Sequence, residues 1–194
     1  MPPVRNSKQD MQAPSGPQDS LKLPDDAALA RQTAQGSSEA FRALVDRHGP
    51  YLYGVARAIA ASNEDAEDAV QETFLAALTS RFRGESAVRT WLVKILVRRI
   101  GLIRRGRRLR AHEPLPADAP APRQPADASE ARLDLARMLD SLSPEHRQVI
   151  VLREIEQMSY EQMAETLGVP RGTVESRLHR ARAALRQQYR GYRP

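Results

Sequence analysis

The chain has 194 residues, 41% of them apolar, with a formal charge of +6 and an isoelectric point near 10.1. That length suits one or two small domains with a real core, and the basic balance points to a polyanionic partner. Cysteine is absent and the four His residues are scattered, which excludes disulfides and thiolate metal sites and leaves no metal-ligand spacing. No signal peptide precedes the chain's first apolar segments, and no apolar run approaches the ~18 residues of a membrane span. A cytoplasmic protein without membrane insertion, metal or cofactor is expected. Of the 30 basic residues 27 are Arg, which suits bidentate contacts to phosphate and guanine but also follows genome composition.

Residues 1–20 are rich in Pro, Gln and Ser without an apolar period and read as a disordered tail. A helix is expected near 25–35, ending before Gly36. A second covers about 38–60, with Gly49-Pro50 expected to bend or break it. A third starts at Asn63 as N-cap, with Glu64, Asp65, Glu67 and Asp68 near its positive end. A fourth begins after Ser86 and runs to about 105–110. Residues 111–130, "AHEPLPADAPAPRQPADASE", hold five Pro and four acids against one Arg; no long helix survives that Pro density, and the segment reads as an acidic linker. Beyond it Ser143-Pro144 is a cap followed by Pro at N1, "SYEQ" at 159–162 is a capping box, and "LGVPRG" at 167–172 interrupts the pattern. Alternating strand runs are missing. The fold class is therefore all-α, with helical units at 21–110 and 131–190.

Three surfaces carry chemistry. In "NEDAEDAVQETFLAAL", residues 63–78, Ala66, Val70, Phe74 and Ala77 make an apolar face, while Asp65, Asp68 and Glu72 line another. That face is either simply solvated or serves a protein partner, since it would repel DNA. In "TWLVKILVRRIGLIRRGRRLR", residues 90–110, the apolar stripe is Val88, Trp91 or Leu92, Ile95 or Leu96, and Leu102 or Ile103. Lys94, Arg98, Arg105 and Arg108 align on a different face. Residues 98–110 contain seven Arg and no acid; such a cluster repels itself, which points to a phosphate partner, with a membrane-surface helix or a basic tail as the alternatives.

The last surface is the helix in "VPRGTVESRLHRARAALRQQ", residues 169–188. Val174, Leu178, Ala181 and Leu185 form one stripe. Opposite lie Gly172, Ser176, His179 and Ala183, with Arg180 beside them; Arg171, Arg182 and Arg186 edge one flank and Arg177 the other. A small, hydrogen-bonding centre with cationic edges suits a groove lined by phosphates, although a solvated Arg-rich helix has the same composition. With Ala164 at the helix contact, Gly168 in the turn and Val174 packing back, residues 160–179 have the spacing of a DNA-binding helix-turn-helix.

The stretches "SEAFRALVDRHGPYLYGVARAI", "AEDAVQETF", "FRGESAVRTWL", "LSPEHRQVIVLREIEQMSYEQMAETLGV" and "GTVESRLHRARAAL" follow in this order. The chain thereby resembles bacterial RNA polymerase sigma factors of the extracytoplasmic-function type, over about 24–110 and 131–188. The resemblance implies a sigma-two domain (21–110) that recognises and melts the minus-ten element, and a sigma-four domain (131–190) that reads the minus-thirty-five element. It implies that Asp68, Gln71 and Glu72 dock on the clamp helices of the beta-prime subunit of core polymerase, with sigma-four on the beta flap. Arg83, Ser86, Trp91, Lys94, Arg98 and Arg105 then face minus-ten DNA. Arg171, Thr173, Glu175, Ser176, Arg177, His179 and Arg180 face the minus-thirty-five element. The linker resembles the segment that threads toward the polymerase active centre. Two positions depart from the family: Arg98 stands where members often have Asn, and Glu175 where many have Lys or Arg. Both bear on promoter sequence rather than on the general role. No fused regulatory domain is recognised after residue 188, so a separate anti-sigma protein is the expected regulator.

The competing reading is a stand-alone helix-turn-helix regulator, which accounts for the last surface and leaves the acidic helix and the Trp91 segment without a role. An enzyme has no support: there is no Cys, no Gly-rich phosphate loop and no Ser/His/Asp arrangement.

Overall fold

The computed structural model describes residues 25–110 and 130–190. The expected tail at 1–20 and all but the last residue of the expected linker lie outside them. The elements are α1 (Asp26–Ala34), α2 (Ser38–Ile59), α3 (Asn63–Thr79), α4 (Val88–Arg110), α5 (Glu130–Asp140), α6 (Pro144–Ile150) running into a π-helical turn (Val151–Ile155), α7 (Tyr160–Leu167) and α8 (Arg171–Gln188). No strand occurs among the described residues, and the fold is all-α.

Most helix starts are set by side-chain caps. Asp25 accepts from the Ala27 N–H, Ser37 from Ala40 and Ser143 from His146, with Pro144 in the first turn. Ser159 and Gln162 form the reciprocal capping box, at 3.2 and 2.9 Å. Each such cap stabilises its helix by about 1 kcal/mol, because it satisfies backbone donors that the helix cannot. At the start of α3 the cap is Ser62 rather than Asn63: the Ser62 hydroxyl reaches the Asp65 N–H at 3.1 Å, and Asn63 is already helical. Gly168 ends α7 with φ +64, a left-handed conformation that glycine adopts without a Cβ clash.

Pro50 does not break α2, which is continuous through it. Its ring removes one backbone hydrogen bond, to the carbonyl of Asp46. Both Pro50 and Asp46 are exposed, so water can hydrate that carbonyl. On the opposite side Leu44, His48, Leu52 and Val55 are buried and anchor the helix on both sides of Pro50.

The first four helices pack as a bundle, with α4 lying along α3 and α2 against both; in the second set α8 packs against α6 and α7. Leu44, Leu52, Phe74, Leu92 and Leu96 of the first set and Leu152, Met163, Val174 and Leu178 of the second belong to one cluster of buried apolar side chains. The sets touch chiefly where α2 meets α6 and the π-helical turn and where α4 meets α7.

On α4 the open choices of the apolar stripe resolve to Leu92, Leu96 and Ile103, joined by the buried Val93, Val97 and Ile100. Leu102 is exposed, and Trp91 is half-buried against the core. The stripe is wider than its periodicity suggests because α4 has neighbours on several sides.

Candidate nucleic-acid and partner surfaces

On α3, Asp68, Gln71 and Glu72 are exposed together, as expected for a docking or solvated face. Asp65 does not share it. Its side chain is buried and lies 2.8 Å from the Arg107 guanidinium on α4. Burial raises its pKa, since a low-dielectric environment penalises the carboxylate, and Arg107 opposes that shift. Asp65 is therefore an α3–α4 tie and not part of the acidic surface. The exposed trio borders a groove between α3 and α4, together with Leu75, Leu102 and Arg99. Leu75 and Leu102 are large, exposed apolar side chains; Leu75 was not singled out from the sequence, and Leu102 was offered there only as an alternative to Ile103 in the buried stripe. Arg99 lies 3.5 Å from Glu72, so one acid of the trio has a cation beside it.

At the start of α4, Arg83, Ser86, Trp91, Lys94 and Arg98 line one open cavity of about 250 Å³. Gly84, with φ +78, turns the chain within the loop that carries Arg83. Phe82 is buried against Trp91, with ring centroids 5.3 Å apart, and holds the indole at the rim. An aromatic face beside cations is what stacking of an unpaired base with its phosphate requires. Arg105 is exposed further along α4 and does not line this cavity. The Arg108 side chain lies outside the described residues.

The seven-Arg run is not left to repel itself. Arg98 lies 3.6 Å from Glu165, Arg99 3.5 Å from Glu72, Arg104 3.3 Å from Glu145 and Arg107 2.8 Å from Asp65. The chain's own carboxylates thus meet part of the charge, and self-repulsion is not the only outlet of this cluster.

On α8, Val174, Leu178 and Ala181 are buried and Leu185 is half-buried against the core. Gly172, Ser176, His179, Arg180 and Ala183 are exposed on the far side, with Thr173 and Arg177 half-buried between. A Cβ built on Gly172 meets nothing within 4 Å, so this end of the helix is open to a groove. The Ser176 hydroxyl donates to the Thr173 carbonyl at 3.0 Å and keeps acceptor lone pairs outward. Arg171 is committed within the protein: it bonds Glu175 at 2.8 Å and Glu161 at 2.6 Å and lies over the Tyr160 ring. Arg182 bonds Glu154 at 2.6 Å. Glu175 thus braces the first turn of α8 through Arg171, a role its position alone did not disclose. Among the described residues no group of three or more His, Asp or Glu is placed to hold a metal ion.

The Sigma-70 region 2 family model matches residues 44–109, and Sigma-70, region 4 matches 132–185. ECF RNA polymerase sigma factor SigE of Mycolicibacterium smegmatis is 38% identical over 160 residues, which cover 78% of this chain and 62% of that one. RNA polymerase sigma factor NccH of Alcaligenes xylosoxydans xylosoxydans is 36% identical over 174 residues, covering 82% and 92%. Among solved structures, the sigma factor RpoE in complex with the anti-sigma factor NepR from Bartonella quintana superposes with a TM-score of 0.62 at 27% identity, covering 79% of this chain and 98% of that one.

Proposed function

The chain belongs to the extracytoplasmic-function sigma factors, alternative sigma factors that direct transcription initiation, and from that membership we propose how its surfaces divide the work. The domain assignment is 21–110 for core docking and minus-ten DNA, and 131–190 for minus-thirty-five DNA. Asp68, Gln71 and Glu72 dock on the beta-prime clamp helices, with Leu75 and Leu102 as the apolar part of that contact. Acidic residues suit a protein partner there because the same face would repel DNA. Trp91, with Arg83 and Ser86 beside it, captures an unstacked base of the minus-ten element while Lys94 and Arg98 hold the phosphates. Arg105 extends the phosphate track along α4.

The observation that carries the reading is the division of α8. Its buried side is Val174, Leu178 and Ala181. Its open side offers Ser176, His179 and Arg180, with Thr173 and Arg177 flanking. These groups enter the major groove and read base edges, Arg180 being suited to guanine O6 and N7. Arg171 and Glu175 hold the helix start in position. The protein has no catalytic activity of its own; it acts in the cytoplasm with core RNA polymerase and promoter DNA, and a separate anti-sigma protein restrains it.

Run-off transcription with purified core polymerase tests this. Adding the protein should yield a discrete transcript from a promoter fragment that core alone ignores. A stand-alone regulator cannot confer initiation on bare core, so absence of any promoter-specific transcript across a genomic fragment library would overturn the assignment.

A further inference from the structure

Arg171 engages only one oxygen of the Glu175 carboxylate. Its Nε donates to Glu175 Oε1 at 2.8 Å, while its Nη1 donates to Glu161 Oε1 at 2.6 Å. Among the described residues Glu175 Oε2 has no hydrogen-bond partner, and the Glu175 side chain is 46% exposed. Glu175 stands beside Ser176 and one helical turn before His179, near the start of α8. A carboxylate at the edge of a phosphate-lined groove is repelled, so its presence there needs an account. Bracing is not enough, because Glu161 already holds Arg171 and an exposed i,i+4 pair contributes little. The surroundings also offset its charge. The Arg171 guanidinium lies 5.9 Å from the centre of the Tyr160 ring and the Arg153 guanidinium 5.2 Å from it, so two cations gather where the two carboxylates do.

From this geometry we propose that Glu175 is a base-reading residue, whose free Oε2 accepts a hydrogen bond from the exocyclic amino group of a cytosine in the minus-thirty-five element while Arg171 fixes the orientation of the carboxylate. An ionised carboxylate only accepts. In the major groove cytosine presents the N4 amino donor, which fits it. Guanine O6 and N7 and thymine O4 are acceptors and repel it; adenine offers its N6 amino group beside N7, which repels the second oxygen. The residue therefore selects by rejection as much as by attraction. Arg180, which only donates, reads the opposite pattern, so the two side chains give one helix face complementary base preferences. Arg171 anchors the reader in advance of binding, which lowers the ordering cost of the contact. The inference rests on the proposed minus-thirty-five role of α8.

The test is binding of the holoenzyme to a duplex library whose minus-thirty-five element is randomised and whose minus-ten element is fixed, sequenced before and after selection. Wild type should favour cytosine over thymine and guanine at one position by about fivefold or more, the lower end of what a mismatched base pair costs. Glu175→Gln keeps an oxygen for Arg171 and gains an amide donor, which suits adenine N6 and N7. It should move the preference at that same position to adenine and leave the other positions as they were. A wild-type and a Glu175→Gln profile that coincide, or that differ only by a uniform change in affinity, overturn the reader and leave the minus-thirty-five role of α8 standing. Absence of selection at every randomised position in the wild type overturns that role, and the reader with it.

Discussion

Arg180 and Arg182 are two residues apart on α8, yet their surroundings give them different work. Arg180 is exposed beside His179 and Ser176. Arg182 donates twice to Glu154, at 3.2 and 2.6 Å, and must give up that pair before it meets a phosphate. In holoenzyme binding to a library of minus-thirty-five variants, Arg180→Ala should flatten preference at particular bases, costing about 1–3 kcal/mol where the contact is bidentate. Arg182→Ala should weaken all variants alike and lower the salt slope by less than ~1. Superimposable profiles for the two substitutions would falsify the division. His48 poses a residue-scale question about stability. It is buried on α2 with Nε2 3.1 Å from Asp26 Oδ2, and burial holds its pKa below 6.5 although Asp26 pulls the other way. The folded state therefore prefers neutral His48, and a proton favours the unfolded chain. Its contribution is fully present above pH 6.5 and is lost as the pH falls below that value through the folded pKa. Urea midpoints taken from neutral to mildly acidic pH should drop more steeply for wild type than for His48→Gln. Parallel curves would show that His48 carries no such linkage.

At the scale of the element, α3 presents two kinds of acid that composition cannot separate. Asp65 is buried against Arg107, whereas Asp68 is exposed one turn away from it. Reversing Asp68 should leave the fold intact, and Asp68→Lys should weaken capture by immobilised core polymerase about tenfold or more, because a like charge now faces the docking surface. The thermal midpoint should move little, since surface substitutions usually change stability by less than about 0.5 kcal/mol. Undiminished capture would remove α3 from the docking surface. The same helix shows what sequence reading can reach. Side-chain caps and the glycine at Gly168 act within three or four residues, so the starts of α6 and α7 and the end of α7 were legible. The start of α3 at Asn63 was legible too, but its cap was displaced by one residue because Ser62 and Asn63 are both competent caps, and only geometry chooses between them. Of the bend or break expected at Pro50, the break does not occur, for another reason: whether a helix continues through a proline depends on burial of Leu44, His48 and Leu52 on the far side, which is a tertiary fact.

Across the whole molecule, periodicity reveals which face a helix exposes but not which distant group will cover it. The α8 face was legible because Gly172, Ser176, His179, Arg180 and Ala183 stay exposed. The cationic face of α4 was not, because Glu145 and Glu165 reach it from beyond the 111–130 segment. One further bond joins the halves by different physics. The Tyr51 hydroxyl donates to Glu156 Oε1 at 2.6 Å, from α2 to the end of the π-helical turn. Burial first, and then the carboxylate, push the Tyr51 pKa to about 12, so the hydroxyl remains a donor throughout the working pH range. The ion pairs of Lys94, Arg98 and Arg104 with at least partly exposed carboxylates weaken as salt shortens the screening length to about 8 Å and below. A short bond from a neutral donor at a half-buried site is screened far less and contributes about 1–2 kcal/mol. The packed arrangement of the two helical sets should therefore survive moderate salt on Tyr51 and the shared apolar contacts, and Tyr51→Phe should shift their separation to lower ionic strength. Small-angle X-ray scattering across a salt series measures this as the concentration at which the radius of gyration rises. Coincident curves for wild type and Tyr51→Phe would mean that this bond does not hold the halves together. An earlier rise in the variant, with helix content by circular dichroism unchanged, would show two intact helical bodies separating at the contact the bond had kept closed.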